Sequence, residues 1–229
     1  MPTSQTLRER HRNDTRELIL AAAREAFVRE GYGRLTMREL AKRLGCSPGV
    51  IYLHFSGKDD LLGCLVEESF AKLLDLLNEV PTVGDPTANL KARLRAYVSF
   101  GLEYPYHYHL AFVLAPTAQG QEDGSPLTPH EAFDVLRRSV AECRSRGLMP
   151  SVDTEVASQA LWAAVHGITS LLVAKPGFPW VERDRLVTRV IDMAVEGLLG
   201  GGTGRGGKKR PGRGRSGQTA ATRSRRAGR

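Results

Sequence analysis

The chain has 229 residues, 41% of them hydrophobic and 25% charged, with a net charge of +8. That size and composition build one large domain or two small ones around an ordinary core, and exclude a wholly disordered chain, a collagen-like repeat and a disulfide scaffold. The three cysteines, Cys46, Cys64 and Cys143, follow neither a disulfide framework nor a CxxC zinc pattern and read as reduced thiols. No uninterrupted run of about 18 apolar residues argues for a membrane span. Residues 1–13 are polar and lack the apolar core of a signal peptide, so a cytoplasmic protein with no membrane partner is expected.

The charge is unevenly placed. From Gly200 onward there are ten Lys and Arg and no Asp or Glu. Residues 1–62 carry eleven basic against eight acidic groups, and residues 63–199 carry twelve against seventeen. The chain therefore reads as a mildly basic head, an acidic body and a strongly basic tail. Basic segments attract polyanions by counterion release. The tail, GGTGRGGKKRPGRGRSGQTAATRSRRAGR, has too few apolar residues to offset ordering entropy and is expected to be disordered. Composition leaves two uses open for it, a solubilising extension or a nonspecific nucleic-acid arm.

Apolar positions recur at helical spacing almost throughout, and strand alternation is not sustained. The first helix is expected over residues 14–30, with Leu18, Ala22 and Ala26 in one row and Ile19, Ala23 and Phe27 in the next, Asp14 as its cap, and Gly31 and Gly33 after its end. A second opens at Thr36 with Glu39 completing a capping box, carries Met37, Leu40, Ala41 and Leu44, and stops at Gly45. The third starts with Ser47 as cap and Pro48 in its first turn, and ends near Ser56. A fourth is capped at Ser56 and runs from Leu61 to Leu77. After a loop at 81–86, further helices are expected over 87–103, 105–114, 129–146, 153–174 and 182–199. Thr128, Pro129 and Glu131 form a cap, first-turn proline and box, and the segment KPGFPW after Ala174 cannot continue a helix.

Two short helices joined by a tight turn at Gly45 form a helix-turn-helix signature, whose second helix fits a DNA major groove. At about 100° per residue, Ile51 and Phe55 lie within about 40° of each other and must face the core. The opposite face then presents Gly49 and Leu53, with Tyr52 at its edge and Ser47 at the N-terminus. Gly49 admits close approach of a backbone or base edge. Tyr52 offers a hydroxyl to a phosphate or a ring to a thymine methyl. Thr36, at a helix N-terminus, and Lys58, at the start of the fourth helix, suit phosphates. Arg38 and Lys42 share a flank, His54 lies between faces, and Arg8, Arg10 and Arg12 are placed to follow a minor groove as an arm.

On these residues a resemblance becomes specific. The stretch from Arg16 to Leu62, with TMRELAKRLGCSPGVIYLHFSGKDDLL, resembles the N-terminal domain of the TetR/AcrR family of bacterial transcriptional regulators. The Thr cap, the Leu-Gly-x-Ser turn, the Gly-x-x-Tyr-x-His-Phe helix and the following Lys with paired leucines carry it. Where the family pattern has an aromatic, this chain has Leu53. By motif position the resemblance implies DNA contacts at Thr36, Ser47, Gly49, Tyr52, His54 and Lys58, to which the reading of the residues adds Arg38, Pro48 and Leu53.

The resemblance also implies an all-helical body that dimerises and holds a small molecule. Trp162, His166 and Gly167 resemble the motif of the tryptophan–histidine–glycine subfamily, and EYPYHYHLAF its aromatic helix start. Tyr97, Tyr104, Tyr106 and Tyr108 cluster with Phe100 and Phe112, and Trp162 and His166 share a helix face at i and i+4. The ligand-binding candidates are Tyr104, Tyr108, Phe112, Trp162 and His166. His107 and His109 point apart and lack partners, so neither a metal nor a cofactor is expected. The apolar residues Leu161, Val165, Ile168 and Leu172, then Leu186, Val190, Ile191, Ala194, Val195 and Leu198, supply more than one packing face and point to a two-fold dimer.

The expected protein is all-α. It has an arm over 1–13, a helix-turn-helix domain over 14–62, a helical ligand-binding and dimerisation domain over 63–199, and an Arg/Gly-rich tail over 200–229. Its expected function is that of a homodimeric, ligand-responsive repressor on a palindromic operator, with no catalytic residues. Two rivals stand beside it. One is a nonspecific DNA-compacting protein driven by the tail, and the other an enzyme using the helical body, although no nucleophile elbow, P-loop or dinucleotide fingerprint occurs.

Overall fold

In the computed structural model, which describes residues 7–114 and 129–199, the predicted apolar rows fold into helices α1 (Leu7–Glu30), α2 (Met37–Leu44), α3 (Pro48–Tyr52), α4 (Lys58–Asn78), α5 (Pro86–Glu103), α6 (Pro105–His109), α7 (Pro129–Ser145), α8 (Thr154–Ala174) and α9 (Arg183–Leu199). A π-turn, Leu110–Leu114, follows α6 directly. No strand occurs among the described residues. The basic tail, residues 115–128 and with them the expected cap at Thr128 lie outside them.

Local chemistry sets most of the helix ends. Thr36 Oγ1 accepts from the Glu39 amide at 3.1 Å, and Gly45 closes α2 with a φ of 66° that only glycine adopts cheaply. The Asp153 carboxylate accepts the amides of Glu155 and Val156 at the start of α8. Four expectations shift. Residues 7–13, expected as an arm, form the first turns of α1, because no Pro or Gly interrupts good helix formers there. Asp14 is consequently inside the helix and not its cap. The third helix is only five residues long, and Leu53 and His54 lie in the turn after it. At α4 the cap is reversed, since Asp60 Oδ2 accepts both the amide and the hydroxyl of Ser56.

The helices enclose two cores. In the head, Ile19, Ala23, Phe27, Leu40, Ile51 and Phe55 are fully buried together with Leu61 and Leu65 of α4. In the body, Leu73, Leu90, Phe100, Leu161, Val165 and Ile191 form the second core. α4 spans both, with its first half in the head and Phe70, Leu73 and Leu77 in the body. An ion pair between Arg24 and Glu68 fixes α1 to α4 at the junction.

Within the body, α5 and α8 approach so closely that a Cβ on Gly101 would stand 2.2 Å from Thr169 Cγ2 and 3.0 Å from the Tyr108 ring. Thr169 has no room to yield, because it is buried and its hydroxyl donates to the Val165 carbonyl. Gly101→Ala is therefore expected to destabilise the body by roughly 1–3 kcal/mol through overpacking, read as a lower urea midpoint with an unchanged slope.

α8 is long and apolar enough by length and composition to cross a membrane, although it lacks an unbroken apolar run and packs against α5, α7 and α9. The apolar faces expected to meet a partner are arranged differently from the reading of the sequence. Leu161, Val165, Ile168, Leu172, Ile191 and Val195 are consumed by the body's own core. What α8 and α9 leave outside is Val156, Leu171 and Met193, all exposed, with Ala160, Ala163, Gly167 and Ala174 between them.

Candidate nucleic-acid interface and body cavity

The short third helix is anchored from behind and open in front. Ile51 and Phe55 are fully buried in the head core, while Tyr52 is 54% and Leu53 76% exposed. Two large side chains displayed beside each other at the end of one short helix mark an interaction surface. Ser47 occupies the N-cap position of α3 but its side chain makes no cap hydrogen bond, which leaves the hydroxyl unused. Thr36, Arg38, Lys42, Ser47 and Gly49 are all exposed around this face. Gly49 is required neither by a left-handed backbone nor by packing, because an added Cβ would meet only Ser47 Oγ at 3.7 Å. Pro48 is half-buried at the first position of α3.

Two of the expected contacts also have local partners. The Lys58 ammonium lies 4.0 Å from the Tyr32 ring centroid and donates to the Tyr32 carbonyl at 3.0 Å. The Tyr32 hydroxyl donates to Asp59, which pushes its pKa up to about 12. Lys58 thus pins the turn between α1 and α2 to the start of α4. His54 is half-buried in a surface depression with Glu9, Arg12, Asn13 and Arg16 of α1. Burial, with Arg12 and Arg16 nearby, lowers its pKa and keeps the imidazole neutral.

The body holds a cavity of about 660 Å³ between α4, α5, α7 and α8, within the size range of small-ligand sites. Phe70, Leu73, Tyr97, Phe112, Phe133, Trp162 and Val165 supply much of its wall. Of the predicted ligand residues, Phe112 and Trp162 stand in that wall. Tyr108 and His166 stand behind it. His166 Nδ1 lies 2.9 Å from the Tyr97 hydroxyl and 3.0 Å from that of Tyr108, and the Trp162 indole donates to the Tyr97 hydroxyl at 3.4 Å. Burial lowers the pKa of His166 and raises that of Tyr108 to about 12, so the network is uncharged. Tyr104 is outside the wall, stacked on Phe100 with the Lys72 ammonium over its ring.

Arg93 and Phe133 also line the cavity and were not singled out from the sequence. Arg93 had a signal, since it falls on the same face of α5 as Leu90 and Tyr97, three residues after one and four before the other. Phe133 had none, since it meets Trp162 only across α7 and α8, with ring centroids 5.8 Å apart.

Fold and site together define a helix-turn-helix protein with an exposed reading helix and a cavity-bearing helical body. Residues 19–63 match the family described as bacterial regulatory proteins, tetR family. Residues 90–194 match the tetracyclin repressor-like C-terminal domain. The transcriptional regulator TtgR of Pseudomonas putida is 37% identical over 171 residues, which span 68% of this chain and 78% of that one. The transcriptional activator FasR of Mycolicibacterium smegmatis is 27% identical over 194 residues, spanning 82% and 81% of the two chains. A solved structure of a tetR-family regulatory protein from Rhodococcus RHA1 shares the fold with a TM-score of 0.62 at 21% identity, over 80% of this chain and 96% of that one. The chain belongs to the TetR family of DNA-binding bacterial transcriptional regulators.

Proposed function

We propose that the protein is a cytoplasmic, homodimeric repressor that binds a palindromic operator and is released when a small molecule enters the body cavity. It acts by binding and not by turnover. Residues 14–62 form the reading head together with the first turns of α1, and 63–199 form the sensing and dimerising body. Ser47, Gly49, Tyr52 and Leu53 meet the major groove. Thr36, Arg38 and Lys42 hold phosphates beside it, and Lys58 and His54 support the head from within while flanking the backbone. The exposure of Tyr52 and Leu53 over a buried Ile51 and Phe55 is the observation that carries this reading.

A second copy is supported by α8. Between Glu155 and Lys175 it has no charged residue, and its outer face of Ala160, Gly167 and Leu171 is exposed. Packed with α9 against the same face of a partner, it forms a four-helix bundle. The heads are then held about 34–36 Å apart, at successive major grooves. The same helix lines the cavity with Trp162 and Val165, so a ligand that spreads α7 from α8 also tilts the dimer. Trp162, His166 and Gly167 support placing the body in the tryptophan–histidine–glycine subfamily.

Band shifts with DNA upstream of the protein's own gene test the operator reading. The full chain is expected to retain one palindromic fragment in the presence of competitor DNA, and retention of no promoter fragment at low salt would refute the reading. Gly49→Ala sharpens the test. It is expected to fold with a slight gain of about 0.5–1 kcal/mol from helix propensity. Its operator affinity should nonetheless drop roughly tenfold, the effect of a misfitted base contact. Unchanged affinity would place α3 away from the duplex.

A further inference from the structure

One cation of the cavity wall, Arg93, lacks an ionic partner among the described residues. It stands in that wall among Leu73, Leu77, Leu94 and Tyr97. Its Nη1 donates to Ser139 Oγ at 3.2 Å, while Ser139 itself donates to the Val135 carbonyl. The Arg93 Nε is buried and has no hydrogen-bond partner among the described residues. No ion pair among those residues involves Arg93. The other charges at the wall have neighbours of their own. Asp134 pairs with Arg137 at 3.0 Å, and Glu155 accepts from the Gln159 amide at 2.8 Å. A half-buried guanidinium held by one neutral hydroxyl, with an orphaned Nε–H, lacks the acceptor that such groups normally have. The rest of the chamber is aromatic and aliphatic.

We infer that the cavity takes an amphipathic organic anion, whose acidic group is received by Arg93 and whose apolar body lies along Phe70, Phe112 and Trp162. A carboxylate or sulfonate accepts two N–H bonds from the planar guanidinium fork. That gives the guanidinium an acceptor of opposite charge, and the apolar body fills a chamber of the right size. A neutral ligand of the same body leaves Arg93 uncompensated and binds more weakly. The assignment rests on the cavity being the effector site and names the chemical class of effector it selects.

Two probes with one arylamine body separate the possibilities. Anilinonaphthalene sulfonate carries an acidic group, and phenylnaphthylamine does not. Binding to the full-length protein is followed by energy transfer from tryptophan, with Trp162 in the cavity wall. The anionic probe is expected to bind at least tenfold more tightly than the neutral one. Arg93→Met should weaken the anionic probe roughly tenfold or more and leave the neutral probe within about twofold, while Arg93→Lys restores part of the difference. Equal affinity of the two probes for the unaltered protein, or an anionic probe indifferent to Arg93→Met, overturns the inference. The first comparison needs no variant, so it stands even where a substitution unfolds the body. Ala132→Phe, at a buried position of the cavity wall, tells the two readings apart. If it blocks the neutral probe while Arg93 proves irrelevant, the cavity reading survives and the anion inference does not. If it blocks neither probe, the cavity is not the effector site and both readings fall.

Discussion

Phe55→Ala is expected to abolish operator binding while leaving the body able to bind its ligand. Phe55 is fully buried where α1, α3 and α4 meet, with the Arg16 guanidinium 5.2 Å from its ring centroid. Truncating a buried phenylalanine removes about 3–5 kcal/mol of transfer and cavity energy. The reading helix has only five residues, far below the length at which a helix holds itself together in water. Its conformation is borrowed from Ile51 and Phe55 beneath it, and Val50 and Tyr52 have no other support of comparable size. Losing Phe55 therefore releases α3 first. Band shifts should show no retained complex, near-native far-ultraviolet circular dichroism should persist because the body supplies most helical residues, and probe binding in the cavity should stay within about twofold of the unaltered protein. Wild-type operator affinity in Phe55→Ala would mean that α3 is organised by the DNA and not by the core.

The head was largely legible because its signals are local. Thr36 with its bond to the Glu39 amide, Gly45 in a left-handed turn and Pro48 at the first position of α3 are each readable from their immediate neighbours, and the Ile51–Phe55 spacing fixes which side faces inward. Lys58 shows the limit. Its position at a helix start suggested a phosphate, and nothing local announced that Tyr32, distant in sequence, also meets its ammonium through both ring and carbonyl. The body was legible in its helices and less so in its site. Four tyrosines close together in sequence suggested one aromatic pocket, yet α6 turns Tyr104 away to stack on Phe100 and sinks Tyr108 behind the wall. Arg93 and Phe133 come to the same chamber from helices separated by a long stretch of chain, a convergence that no local pattern encodes. Which apolar residues of α8 stay outside was hidden for a related reason, since Leu161 and Ile168 are as apolar as Leu171 and only the packing decides which of them the monomer keeps for itself.

The second large effect concerns the route from cavity to head. One connection runs from α4 to α1, which the Arg24–Glu68 ion pair joins. The π-turn supplies a second connection. Leu110 is 0% exposed in the head core, whereas Phe112, two residues later, stands in the cavity wall with its ring 5.5 Å from Phe70 and 5.3 Å from His166. His107, just before, lies 3.1 Å from Ser69 of α4 through Nδ1. A ligand that displaces Phe112 must therefore move a residue embedded among the head helices, and widened π-helical turns commonly sit at functional positions. Leu110→Ala is expected to cost about 2–5 kcal/mol of head stability, while Leu110→Met, which conserves volume, should cost less than about 1.5 kcal/mol. The informative readout is the ratio of operator affinities with and without a saturating cavity ligand, because coupling between sites is defined by that ratio and not by either affinity alone. In Leu110→Ala the ratio should collapse toward one, with cavity affinity in the free protein nearly unchanged, and Leu110→Met should retain most of it. A ratio that survives Leu110→Ala intact assigns transmission to α1 and α4 through Arg24 and Glu68, and Arg24→Met would then be the substitution that uncouples the two sites.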